Sequence, residues 1–333
     1  MLRPLMLLSL WISAATPIWA DCLLGKVNKI EPVFDDNRIY LPAKIDGSPV
    51  LFIVDTAASQ TAIYRDAAVA LGLPISAWGA QQIPDGSLVP VAETTKTKFR
   101  TSARSLDIGR LNGRNIQFHI VEKSGPATLD GLPVVGLLGE DFLSHYDVEM
   151  DLKAGLFALY RTEGCERANL AYWTKDYNVV DMIRFNPRDP HVVMSGKLND
   201  SAIVIQMASA MPYTAVSFNA AGSRGVGSDS PGTMPLGRVA GVQGEPVEGW
   251  FGTFSNFALD EEKIGQAKIA FIKFPVGQVD IERGSRLAVS ESTGAEMLLG
   301  FDFLRAHHVL ISHTQRKVYF SYSGEAPFAA PKS

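Results

Sequence analysis

Two cysteines in 333 residues are too few for a disulfide-built scaffold, and neither has a Cys or His partner at zinc-ligand spacing, so no bound metal is expected. Charge of one sign is equally scarce. The chain carries 31 Lys+Arg against 35 Asp+Glu, a net charge of −4, with no basic block, which removes the electrostatic footprint of a nucleic-acid binder. Apolar runs long enough to span a bilayer are absent after the first twenty residues. Missing too are Gly-x-Ser-x-Gly, His-Glu-x-x-His, a phosphate-binding Gly-Lys-Ser/Thr loop and a dinucleotide fingerprint, so no cofactor is expected. Helical periodicity is thin, confined to residues 64–71 and short pieces at 140–146 and 301–307.

What remains is an ordinary globular composition, 46% hydrophobic and 20% charged, in a chain long enough for about two domains. Residues 1–20 read as a secretory signal peptide: one positive charge at Arg3, an apolar stretch, Pro17, and Ala20 before a cut ahead of Asp21. A periplasmic or secreted location follows, with no membrane span after cleavage. In such an oxidising compartment the even pair Cys22 and Cys165 is expected to form a disulfide.

The chain repeats itself. RIYLPAKIDGSPVLFIVDTAASQTAI, residues 38–63, aligns without gaps to HVVMSGKLNDSAIVIQMASAMPYTAV, residues 191–216. Lys44 falls on Lys197, Asp46-Gly47 on Asn199-Asp200, and Thr61-Ala62-Ile63 on Thr214-Ala215-Val216. Each copy is a strand, a two-residue polar turn and a second strand. A second match, Leu138-Gly139-Glu140-Asp141-Phe142-Leu143 against Leu299-Gly300-Phe301-Asp302-Phe303-Leu304, closes each half and is followed by VEMDLKAGLFALY and VLISHTQRKVYFSY. Further β-like stretches at residues 95–99, 105–108, 116–121, 254–259 and 268–274, punctuated by Gly and Pro, suit small barrels better than a doubly wound sheet. The expected organisation is a signal peptide at 1–20, a first unit at 21–160, a linker at 161–190, a second unit at 191–325 and a tail at 326–333.

The chemistry-bearing segment is Phe52-Ile53-Val54-Asp55-Thr56-Ala57-Ala58-Ser59, a carboxylate at the end of an apolar strand followed by small residues. An acid there is costly to desolvate, so it turns to solvent, accepts local hydrogen bonds or works as a titrating group. Alone, Asp-Thr would read as an Asx-type turn capping the strand. Its companion eighty residues on, Val135-Gly136-Leu137-Leu138-Gly139, changes that reading.

The pairing resembles the retropepsin-like aspartic peptidases, whose unit opens with apolar-apolar-Asp-Thr/Ser-Gly-Ala/Ser and closes with apolar-apolar-Gly before a short helix. The resemblance covers both halves and is closest to bacterial exported members. It implies an all-β fold, two tandem acid-protease β-barrels with a few short helices, and peptide-bond hydrolysis of a protein or peptide substrate. By the same resemblance Asp55 is the catalytic aspartate, Thr56 and Ala57 belong to its loop, Leu137, Leu138 and Gly139 pack beneath it, and Asp85-Gly86 within residues 80–91 sits where the family has its flap, with a counterpart near 241–247. Ala57 stands where the family has glycine. In the second half Ala208 stands opposite Asp55, followed by Ser209, and Gly300 ends the degenerate copy, with no carboxylate anywhere in residues 201–218.

An aspartate dyad needs two carboxylates sharing one proton. If the halves paired within one chain, Asp55 would face Ala208. An active enzyme is then expected to be a homodimer through the N-terminal unit, with Asp55 of one chain meeting Asp55 of another. The alternative is a catalytically inactive peptide-binding or scaffolding protein on the same double barrel. His307, His308 and His313 are expected to face solvent rather than hold a metal. Asp141 and Asp302 are read as caps of the short helices after Gly139 and Gly300. Trp250 and Phe251 are read as core aromatics, with a groove lining as the other reading.

Overall fold

A computed structural model describes residues 22–78, 80–82, 88–90, 98–122, 128–183, 190–240, 246–273, 279–281, 289–291 and 294–328. The leader expected at 1–20 and the Asp85-Gly86 turn lie outside them.

The first unit begins with a hairpin. Arg38–Ile45 and Ser48–Val54 pair antiparallel around Asp46-Gly47, both at positive φ (48° and 85°), the backbone that a tight two-residue hairpin needs. Asn199 and Asp200 do the same at 49° and 61° between Val193–Leu198 and Ser201–Met207 in the second unit. Asn and Asp tolerate this conformation better than other side-chain-bearing residues, so the polar dipeptides turn the chain with little strain.

Ser48–Val54 then runs parallel to Leu132–Leu138, which pairs with Ala62–Tyr64, Leu111–Val121 and Lys98–Ile108 in succession. Lys44 and Ile45 meet Asp107 and Leu106, closing six strands into a barrel. The second unit copies the circuit through Ser201–Met207, Met297–Leu299, Ala215–Ser217, Glu262–Ile272 and Pro246–Leu259, and closes where Lys197 and Leu198 meet Ala258 and Phe257. The fold is all-β with short helices. Stretches read separately as 95–99 and 105–108 belong, where described, to one strand, Lys98–Ile108, because hydrogen bonds to Leu111–Val121 carry it through its polar residues.

Helices occur at Arg65–Ala70, Glu140–Leu143 and Phe301–Leu304, each within its expected segment and shorter than it. A fourth, Phe218–Ser223, was not expected from periodicity. The repeat contains it, since residue 65 moved along by the 153-residue offset that separates Thr56 from Ser209 is residue 218. Ser217 caps it by accepting from the Ala220 amide at 3.2 Å.

A six-stranded sheet fuses the two units. Its order is Leu23–Ile30, Leu156–Glu163, Asp147–Asp151, His307–Ser312, Lys317–Tyr322, Asn178–Asp181, with the units meeting where Val148 faces Ile311 and Met150 faces Val309. The Cys22–Cys165 disulfide pins the first strand to the chain beyond the second, across 143 residues. In the chain-entropy picture a loop of that length is worth about 5 kcal/mol.

This sheet overturns the solvent-facing histidines. His307–Ser312 is an inner strand with neighbours on both edges, so its histidines are enclosed and each finds a carboxylate. His307 Nε2 lies 2.8 Å from Glu262 and His308 Nε2 2.8 Å from Glu149, while His313 lies 3.5 Å from Glu140. Glu149 is fully buried and also accepts from the Tyr160 and Tyr172 hydroxyls. Those three hydrogen bonds hold its carboxyl below the usual range against a burial penalty that pushes the other way. No group of side chains with metal-site geometry occurs among the described residues.

Candidate active site

Asp55 follows the last residue of Ser48–Val54, where the strand leaves the barrel. Its amide donates to the Leu138 carbonyl at 3.0 Å, so the Asp-Thr segment and the Leu-Leu-Gly segment are tied at their ends. Gly139 is there because the backbones touch: a Cβ on it would fall 2.6 Å from the Gln60 carbonyl carbon and 2.8 Å from the Ala58 oxygen. Gly300 meets the same restriction against Tyr213. Ala57, in the family's glycine position, has no positive φ, and its amide donates to the Asp55 carboxylate at 3.0 Å. The extra methyl therefore costs the loop no backbone strain.

Asp141 and Asp302 do not cap their helices, contrary to the expectation for them. Gly139 and Gly300 occupy the cap positions, with no side-chain capping bond. Each aspartate sits one residue into its helix and reaches back to the loop instead. Asp141 accepts from the Thr61 hydroxyl at 2.6 Å and amide at 2.8 Å, and the Thr61 hydroxyl in turn accepts from the Gly139 amide at 3.1 Å. Asp302, Thr214 and Gly300 repeat the arrangement at 2.6, 2.8 and 3.0 Å. Burial pushes the Asp302 carboxyl up to about 6, against these hydrogen bonds. The two straps fix both loops from below.

The loops meet each other across the units. Thr56 donates its amide to the Ser209 hydroxyl at 3.1 Å, Ser209 donates its amide to the Thr56 hydroxyl at 3.1 Å, and the Ser209 hydroxyl donates to the Val54 carbonyl at 2.8 Å. Both side chains are buried. The structure thus replaces the expected pairing of two Asp55 loops from two chains by a pairing within one chain: Ser209 already occupies the face of Thr56 that a second chain would need. Ala208, whose amide donates to Leu299 as that of Asp55 does to Leu138, takes the place of the second aspartate. Ser209→Ala should cost about 2–3 kcal/mol, because it leaves the Thr56 amide and the Val54 carbonyl buried without their partner; a urea midpoint unchanged from wild type would count against this joint.

Asp55 is half-buried at this floor. Burial pushes its carboxyl above the ordinary range, opposed without cancellation by the amides of Ala57 and Ala58 and by the charge of His191. The Tyr64 hydroxyl beside it is pushed up to about 12, first by its own burial and then by the Asp55 charge. Either side of the loops lie apolar surfaces turned away from the barrel interiors: Tyr40, Ile53, Tyr64 and Val134 on one unit, joined by Ala210 from the other, and Phe251, Ala270 and Ile272 with Tyr213 and Met211 on the second. Phe251 is buried against Tyr213 of the degenerate loop, ring centres 5.5 Å apart, while Trp250 stacks on Phe271 at 5.6 Å. The hairpin strands Ala80–Gln82 and Leu88–Pro90 pair as a flap would require. The proposed counterpart, residues 241–247, lies mainly outside the described residues, between the paired strands Met234–Ala240 and Pro246–Leu259.

Of the residues singled out in the sequence, the structure places Asp55, Thr56, Leu137, Leu138, Gly139, Ala208, Ser209 and Gly300 in or beside the two joined loops. Not read from the sequence were the straps through Thr61 and Thr214 and the influence of His191 on the Asp55 carboxyl. The threonines stood in the repeat alignment, and their recurrence was the available signal.

Residues 41–142 match the family model described as aspartyl protease. No curated protein matches the chain. Among solved structures it is similar to a retropepsin-like aspartic protease from Rickettsia conorii, at 22% identity over 43% of this chain and 95% of that one, TM-score 0.28. It is also similar to an aspartic proteinase from Irpex lacteus, at 12% identity over 89% of this chain and 97% of that one, TM-score 0.47. The segment that matches the aspartyl protease model contains Asp55, its loop and the Leu-Leu-Gly turn.

Proposed function

We propose that the protein is an aspartic-type endopeptidase that works as a single chain on extended peptides, with Asp55 as its one active-site carboxylate. The observation that carries this reading is the reciprocal Thr56–Ser209 pair, which supports a floor completed by the chain's own second unit and not by another copy. Ionised Asp55 would take the proton from an attacking water, and the apolar walls beside it would hold the peptide backbone in place. Export to the periplasm or beyond is part of the proposal, supported by the leader-like residues 1–20 and by a disulfide that an oxidising compartment would preserve. Purified protein should run at the mass of one chain and cut an unfolded protein substrate between pH 4 and 7. A dimer that alone carries the activity would return the reading to two Asp55 residues.

Ala208 favours a second reading. Without a second carboxylate the cleft would bind extended peptides and release them uncut, in which case peptide affinity is insensitive to Asp55 and no pH yields products.

A further inference from the structure

The second unit carries Ala208 where the first carries Asp55, and the residue across the strand pair from Ala208 is a histidine. Val193 pairs with Gln206, and the ladder continues through the Met207 amide, which donates to the Val192 carbonyl at 2.9 Å. One step further, His191 stands directly across from Ala208. Val192 and Met207 both point into the barrel core. By the alternation of a strand, His191 and Ala208 therefore share the opposite face, the one turned toward the Asp55 loop. Both are buried, His191 at 2% exposure and Ala208 at 0%. At 2% exposure His191 does not reach a substrate and acts only through another group.

We infer that His191 is a positioning residue for Asp55: its ring stands across the strand pair from Ala208, on the face turned toward the Asp55 loop, and a positive charge there favours the ionised form of Asp55 that a like charge would disfavour. The inference rests on Asp55 being the working acid. In a dyad one carboxylate keeps its neighbour protonated; here the second unit supplies a charge that opposes the burial penalty on Asp55. Among the described residues, the other charged and titratable neighbours do not take that role. Arg38, which occupies the corresponding position in the first unit, is drawn to Asp36 at 2.5 Å, and Tyr64 stays neutral.

The test follows the Asp55 carboxyl carbon by NMR titration, assigned by its loss in Asp55→Asn. In His191→Gln the Asp55 midpoint should rise by about one pH unit, and His191→Lys, which keeps a cation, should restore most of that shift. Because coupling is reciprocal, Asp55→Asn must displace the His191 ring titration to lower pH by the same amount, a measurement that stands even if the His191 variants do not fold. An unchanged Asp55 midpoint in a folded His191→Gln, or a His191 titration indifferent to Asp55→Asn, overturns the inference. Where peptide is cut, the acid limb of kcat/KM should move up with the Asp55 midpoint; a limb that stays put while the midpoint moves also overturns it. Coupling in a protein that cuts nothing leaves the Asp55–His191 pair standing and removes the hydrolytic reading instead.

Discussion

Asp55→Asn should lower peptide hydrolysis by about 10³-fold or more while leaving the protein folded and somewhat more stable at neutral pH. The loss follows from chemistry: an amide cannot take a proton from water, and the loop opposite Asp55 carries Ala208 and no carboxylate to share the task. The gain in stability follows from linkage. The folded-state pKa of Asp55 is raised by burial, so its ionised form is disfavoured by folding; its contribution is greatest below the unfolded value and is lost as pH rises through the folded one. Asparagine removes that loss and can still accept from the Ala57 amide, 3.0 Å from the carboxylate. Activity and a urea midpoint measured on one preparation at pH 5 and pH 7.5 check both parts. A mutant as active as wild type would remove Asp55 from the mechanism, and one less stable at neutral pH would mean that the carboxylate's local bonds outweigh its desolvation.

Ala208→Asp should have the opposite functional effect. The Thr56–Ser209 pair already holds the two loops in register, so a carboxylate at 208 would face Asp55 without rebuilding the scaffold. Two such groups share one proton, so hydrolysis should rise by about 10²-fold or more at acid pH, with inhibition by a statine-type transition-state analogue. At neutral pH the same substitution should destabilise the protein, because a second buried charge of like sign must ionise beside the first. A rate profile from pH 3 to 7 with a thermal scan at each end checks both. Strong pH-dependent destabilisation without any gain in hydrolysis would show that the carboxylates meet while the walls present no peptide to them. No change in either would mean that residue 208 does not face Asp55.

Much of this site could be read without coordinates because the repeat carries its own alignment. Asp46-Gly47 and Asn199-Asp200 mark the same turn, Gly139 and Gly300 the same close approach, and Asp55 against Ala208 the one substitution that matters chemically. These are local features, in which a turn, a glycine under a neighbouring backbone or an acid ending an apolar strand leaves its mark within a few residues. The helix at Phe218–Ser223 was missed because its apolar spacing is too short to register, although the repeat placed it and Ser217 caps it. Asp141 and Asp302 were misread for a related reason. A carboxylate one residue into a helix can cap or reach out, and the choice depends on Thr61 and Thr214, some eighty residues away in each case.

Composition, the doubled strand–turn–strand pattern and the Asp-Thr and Leu-Leu-Gly segments determined by themselves that this is an all-β chain of two repeated units, with the aspartate of the Asp-Thr loop present in the first unit and replaced by Ala208 in the second. What only the tertiary structure decided is who meets whom. The halves join through Asp147–Asp151 and His307–Ser312, which draws the histidines inside onto carboxylates, and the loops join through Thr56 and Ser209. The first kind of information is written in neighbouring residues, where backbone preference and apolar periodicity act. The second arises from surfaces more than a hundred residues apart, whose mutual burial no short window of sequence can record.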